Sequence, residues 1–93
     1  MYRCFVEYRI DPEVRDRYLA WLADMRTTLS RAFYIYEGTD QPGLFVEVWE
    51  AESEEEAGRI QEERLDPRSS WSAMFDYVPG GRARIHAWVF RPI

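Results

Sequence analysis

The sequence predicts an α+β fold, a four-stranded antiparallel sheet with two helices packed on one face. Three observations predict it. Four stretches alternate in apolarity with a two-residue period, two stretches between them show helical spacing behind an N-terminal cap, and the order is strand, helix, strand, strand, helix, strand. That order is the split βαβ, ferredoxin-like arrangement, with spatial strand order 4-1-3-2.

Tyr2 to Ile10 form the first strand, with Tyr2, Cys4, Val6, Tyr8 and Ile10 on one side and Arg3, Phe5, Glu7 and Arg9 on the other. Asp11 supplies a capping oxygen and Pro12 is pre-set for a first helical position. The helix that follows buries a stripe of Val14, Tyr18, Trp21, Leu22, Met25 and Leu29. Arg31 to Glu37 make the second strand, Phe33 and Ile35 facing one way and Tyr34 and Tyr36 the other. Gly38 to Gly43 turn the chain into a third strand, Leu44 to Glu50, whose Leu44, Val46 and Val48 are expected toward the helices and whose Phe45, Glu47 and Trp49 are expected on the open side. Ser53 and Glu56 form a capping box, with Glu54 and Glu55 adding charge suited to a helix N-terminus, so the acidic run has a structural explanation. That helix runs through Ala57, Ile60 and Leu65 on a thin apolar face and stops at Pro67. Ser69 or Ser70 caps a short helical piece carrying Trp71, Met74, Phe75 and Val78, and Ala83 to Phe90 complete the sheet with Ile85, Ala87 and Val89 opposite Arg84, His86, Trp88 and Phe90.

Length and composition bound the function classes. A chain of 93 residues makes a single domain, 1–93, with one core. Seventeen carboxylates stand against 12 arginines, and with no lysine the net charge is −5, which opposes nucleic acid and anionic membrane as partners. Cys4 has no second cysteine to pair with, and scattered carboxylates around one histidine make a poor metal site, so neither a metal nor a cofactor is expected. No apolar run approaches the roughly 20 residues of a membrane span, and the N-terminus runs directly into a strand, so the expected compartment is the cytoplasm.

With those strand faces, the open side gathers Phe5, Tyr34, Tyr36, Phe45, Trp49, Trp88 and Phe90, an apolar patch on the order of 400 Å² that a soluble monomer rarely exposes. A second copy is the simplest cover, so the sequence predicts a homodimer joined through the open sheet face. Glu7, Glu47, Arg84 and His86 converge on the same face. They form a satisfied polar network in the interface, a small pocket in which His86, Glu47 and Glu7 are candidate catalytic groups, with Trp49, Arg84, Trp88, Phe5, Phe45 and Trp71 as candidate ligand contacts, or a solvated or misregistered face.

Nearly the whole chain resembles the dimeric α+β-barrel superfamily and, within it, the antibiotic-biosynthesis-monooxygenase-like group. The likeness rests on the strand Cys4 to Arg9, the strand Leu44 to Trp49 with its Val-Glu-Val-Trp run, the acidic helix start Ser53 to Glu56, and the Ser69-Ser70-Trp71 segment. The resemblance implies a homodimer with ligand space between each sheet and its helices or near the barrel, and in enzyme members a cofactor-free oxygenation of polycyclic aromatics or haem breakdown that leans on an asparagine, a tryptophan and a histidine or arginine. Trp49 and Trp71 are the candidate matches to that set; the chain has no asparagine.

The expected function is therefore a small homodimeric barrel protein that binds a small aromatic or otherwise apolar ligand. A cofactor-free monooxygenase acting on a phenolic or quinone-like substrate is the enzymatic alternative, and a purely structural or interaction dimer is the other. An RNA-recognition module shares the element order, and Gly43 to Val48 faintly echo its third-strand motif, but acidic residues on the expected binding face argue against it.

Overall fold

The computed structural model describes all residues, 1 to 93. Strand β1 (Tyr2–Arg9) lies at the middle of the sheet, paired antiparallel with β3 (Leu44–Ala51) on one side and β4 (His86–Phe90) on the other, while β2 (Phe33–Glu37) pairs with β3. The order β2-β3-β1-β4 is the predicted one, and the fold is the ferredoxin-like α+β arrangement. Helices α1 (Arg15–Thr28) and α2 (Glu54–Leu65) connect the strands, and a 3-10 segment, Ser70–Tyr77, packs against α2.

Local chemistry sets the element ends. Asp11 accepts a hydrogen bond from the Glu13 backbone N–H at 3.0 Å, and the chain makes a 3-10 turn at Pro12–Val14 before α1 begins. At α2, the Ser53 hydroxyl accepts from the Glu56 N–H at 3.1 Å, and the Glu56 carboxylate accepts from the Glu52 N–H at 2.9 Å, a reciprocal cap displaced by one residue from the ideal box. Ser69 caps the 3-10 segment through the Trp71 N–H.

Two expectations are corrected. β4 starts at His86 rather than Ala83, because Gly80 and Gly81 take positive φ and lead into a 3-10 turn, Gly81–Arg84. The stem of Arg84 folds over Gly80, where a Cβ would meet its Cγ at 2.5 Å, so Arg84 is not a strand residue. The second correction concerns β3, whose faces are the reverse of those expected. Its register sets Trp49 opposite Cys4, Glu47 opposite Val6 and Phe45 opposite Tyr8, and directly paired residues share a face. Cys4, Val6 and Tyr8 are core, so Phe45, Glu47 and Trp49 lie under the helices, and Leu44, Val46 and Val48 lie on the open side.

The physical reason is volume. The layer between sheet and helices accommodates large side chains, and Trp49 stacks on Phe33 with centroids 4.2 Å apart while meeting Trp71 edge-on at 5.5 Å. Phe45 packs against Tyr18 of α1 at 4.9 Å. The open face keeps its apolar character with different members: Phe5 and Phe90 meet edge to face at 5.2 Å, and Tyr34, Tyr36, Trp88 and Phe90 are each between 43% and 60% exposed.

Candidate functional site

The reversal of β3 carries Glu47 into the core, where a bare carboxylate is costly. Its compensation comes from α2. Ala57, Ile60 and Arg64 follow one another at three- and four-residue spacing on the buried face of that helix, so the stripe that begins with an alanine ends in a guanidinium aimed at the sheet. Arg64 Nε donates to Glu47 Oε1 at 2.8 Å and Nη2 donates to Oε2 at 2.6 Å, with both side chains no more than 1% exposed. Trp49 Nε1 donates to Oε1 at 2.8 Å, and the Tyr8 hydroxyl donates to Oε2 at 2.5 Å. Four donors fill the carboxylate's capacity. Since Tyr8 gives its one hydroxyl proton to Glu47, Tyr18 donates to the Tyr8 oxygen, 2.6 Å away.

Burial, followed by the charge of Glu47, raises the Tyr8 phenol well above its ordinary value, and burial likewise raises that of Tyr18. Burial works against the Arg64 charge, but the attraction and hydrogen bonds of Glu47 outweigh it and raise its pKa. Cys4, beside this network, is pushed up to about 11 by burial and then by Glu47.

One polar atom in the cluster has no partner. Nε and Nη2 form the edge of the guanidinium turned toward Glu47, and Nη1, on the edge turned away, is buried without a hydrogen bond. Arg64 also lies over the ring of Trp71, its Cζ 4.2 Å from the centroid. Both residues line a cleft of about 260 Å³ between the end of α1, β3, α2 and the 3-10 segment, in which Trp49, Ile60, Arg64 and Trp71 are buried and Leu29, Ser30, Arg31 and Glu63 stand nearer solvent. Two indoles and the buried side chain of Arg64 wall the cleft.

The sequence-predicted residues divide between the two sides of the sheet. Glu47, Phe45, Trp49 and Trp71 are on the helix side. Glu7 and His86 are directly paired across β1 and β4 on the open side, and with Arg84 they border a separate recess of about 200 Å³ that also includes Arg9, Leu44 and Pro79. Phe5 and Trp88, also directly paired, line a broader depression of about 510 Å³ on the open face with Glu7, Val46 and Phe90. The expected convergence of Glu47 with Glu7, Arg84 and His86 therefore does not occur, because the sheet lies between them. Arg64, Tyr8 and Tyr18 are the members that the sequence reading missed as a site. The signal for Arg64 was its position on the thin apolar stripe of α2, a cation where a core residue belongs, matched by a lone carboxylate in the apolar run of β3.

The fold is that of a small ferredoxin-like α+β protein, and solved structures share it. The chain is similar over 100% of its length, and 99% of the other, to a crystal structure of an antibiotic biosynthesis monooxygenase, with a TM-score of 0.68 and 16% identity. It is similar to protein Atu4242 from Agrobacterium tumefaciens (TM-score 0.66, 16% identity, 100% and 94% covered) and to a conserved protein from Methanosarcina mazei Go1 (TM-score 0.66, 13% identity, 97% and 90% covered). At these identities the likeness is one of fold. No protein-family model matches the chain, and no curated protein does. No helix is long and apolar enough to cross a membrane.

Proposed function

We propose that this protein is a homodimer that binds a small aromatic or otherwise apolar ligand in the cleft between its sheet and helices. The observation that supports the ligand reading most directly is the buried, unpartnered Nη1 of Arg64 beside a cleft walled by Trp49 and Trp71. A buried donor without an acceptor is a standing cost, which an acceptor on a bound molecule removes once a shift of the cleft wall opens Nη1 to it. Ligand sites commonly combine apolar and aromatic walls with a few placed polar groups, as here. The homodimer reading rests on the open face, where Phe5, Val46, Val48, Tyr34, Tyr36, Trp88 and Phe90 make an apolar surface that a second copy would cover.

The test is a saturation-transfer NMR screen of one- to four-ring aromatic compounds. Expected are binders that shift the Trp49 and Trp71 indole signals and are lost in Trp71→Ala; a screen without a saturable binder overturns the reading.

Turnover in the same cleft is the second reading. It is favoured by the same Nη1, since a fixed cationic donor also stabilises negative charge developing on a ligand oxygen. Oxygen uptake dependent on a phenolic or quinone-like compound would support it, and binding without consumption would reject it.

A further inference from the structure

A second hollow in the molecule has a different chemistry, and it shares no lining residue with the helix-side cleft. β4 pairs with β1 only as far as His86 opposite Glu7, so Arg9 at the end of β1 has no β4 residue beside it. The chain leading into β4 turns aside there in the 3-10 segment Gly81–Arg84. The recess of about 200 Å³ lies among these pieces, at the end of the open face rather than at its apolar centre.

Its basic groups are placed but not neutralised. Gly80, at a φ of 88°, has no Cβ to block the stem of Arg84, which passes where that atom would be. Arg9 is held by a 2.6 Å hydrogen bond to the neutral side chain of Gln41. The His86 ring is stacked on Trp88, with centroids 5.8 Å apart and planes 21° from parallel. All three basic side chains are exposed, and neither arginine belongs to an ion pair.

In a chain of net charge −5, two unpaired guanidiniums and the only histidine thus border one hollow, against the single carboxylate of Glu7. Two arginines less one glutamate leave one positive charge, which matches a monoanion and gives a second negative charge no partner. Leu44, Val78 and Pro79 add an apolar wall, and a few polar groups over such a wall are the usual composition of a small-molecule site. The planar fork of arginine suits a carboxylate. We propose that this recess binds a small organic carboxylate, its charge at Arg9 and Arg84 and its short hydrocarbon body against Leu44, Val78 and Pro79.

His86 is the one histidine of the chain, so its imidazole proton signals report on the recess alone. Titration with isovalerate at fixed pH and ionic strength, followed by proton NMR, is expected to shift those signals saturably with a Kd of about 1 mM, the weak range of exposed charge pairs. Isovaleramide, which keeps the shape without the charge, and inorganic phosphate, which keeps charge without the hydrocarbon body, are each expected to bind at least fivefold more weakly. Arg84→Gln alters an exposed side chain and is expected to weaken isovalerate at least fivefold with unchanged far-ultraviolet circular dichroism, while Arg17→Gln, at an exposed and unpaired position of α1, leaves binding as it was. The proposal is overturned by an absence of saturable shifts, by isovaleramide or phosphate binding as tightly as isovalerate, or by equal losses in the two variants. None of these outcomes bears on the helix-side cleft, whose ligands are read from Trp49 and Trp71.

Discussion

Arg64 and Glu47 form a side-on bidentate ion pair in the core, 17 residues apart in the chain, and it ties α2 to the central part of the sheet. Both charges have left water, so the pair's Coulomb energy is spent largely against desolvation, and its worth is seen when one partner is removed. Arg64→Met is expected to cost about 3–5 kcal/mol, because Glu47 remains buried without its cation. The double variant Glu47→Leu, Arg64→Met should recover most of that loss. Urea unfolding of the wild type, both single variants and the double variant measures the cycle. An Arg64→Met variant as stable as the wild type would show that Glu47 reaches water.

Alkaline pH acts on the same cluster. Tyr8 and Tyr18 have folded-state values above their ordinary one, and Cys4 is raised to about 11. In the unfolded chain the thiol loses its proton near ~8.5 and the phenols near ~10. The stability that these groups contribute is complete below those values, and it is lost as pH rises from them toward the folded-state values. The urea midpoint should therefore be level from neutral pH to about 8 and fall steadily above about 9. Tyr18→Phe should reduce the slope above pH ~10, where phenols ionise. A midpoint that stays flat to that pH would contradict the buried hydrogen-bonded phenols.

Cys4 should behave as an inert thiol in the native protein. It is buried, and its raised pKa leaves little thiolate, the reactive form, at neutral pH. An aromatic disulfide reagent is expected to label it at once in denaturant and, in native buffer, only at the rate of unfolding. Rapid native labelling would mean that the β1 and β3 face near Trp49 opens.

The open face gives the assembly prediction. Light scattering is expected to report two chains per particle, and Trp88→Glu, which places a charge beside Phe5 on an exposed position of β4, is expected to give a monomer with unchanged far-ultraviolet circular dichroism. A wild-type mass of one chain at micromolar concentration ends the homodimer reading.

The strands, their order and the helix starts were legible in the sequence because they rest on local rules: two-residue alternation, the Asp11-Pro12 and Ser53-Glu56 signals, and the positive-φ turns at Gly43 and Gly80. The apolar set of β1, with Cys4, Val6 and Tyr8 inward, followed from the same alternation, as did the placing of Glu7, Phe5, His86 and Trp88 on the other side, whereas their direct pairing came from the register of the folded sheet. The weak local signal failed at the start of the short β4, where two glycines delayed the strand to His86.

Which face of β3 is buried was a different kind of question. Leu44, Val46 and Val48 suit a core as well as Phe45 and Trp49 do, and the one polar residue, Glu47, argued locally for the open side. Only the tertiary structure supplies Arg64, Tyr8 and Trp49 as donors to that carboxylate, and only there do the aromatic rings of Phe33 and Trp71 close around Trp49. The sequence by itself determined the elements and their alternation. The structure decided where the charge lies, because burying a carboxylate depends on partners that the chain brings together only by folding.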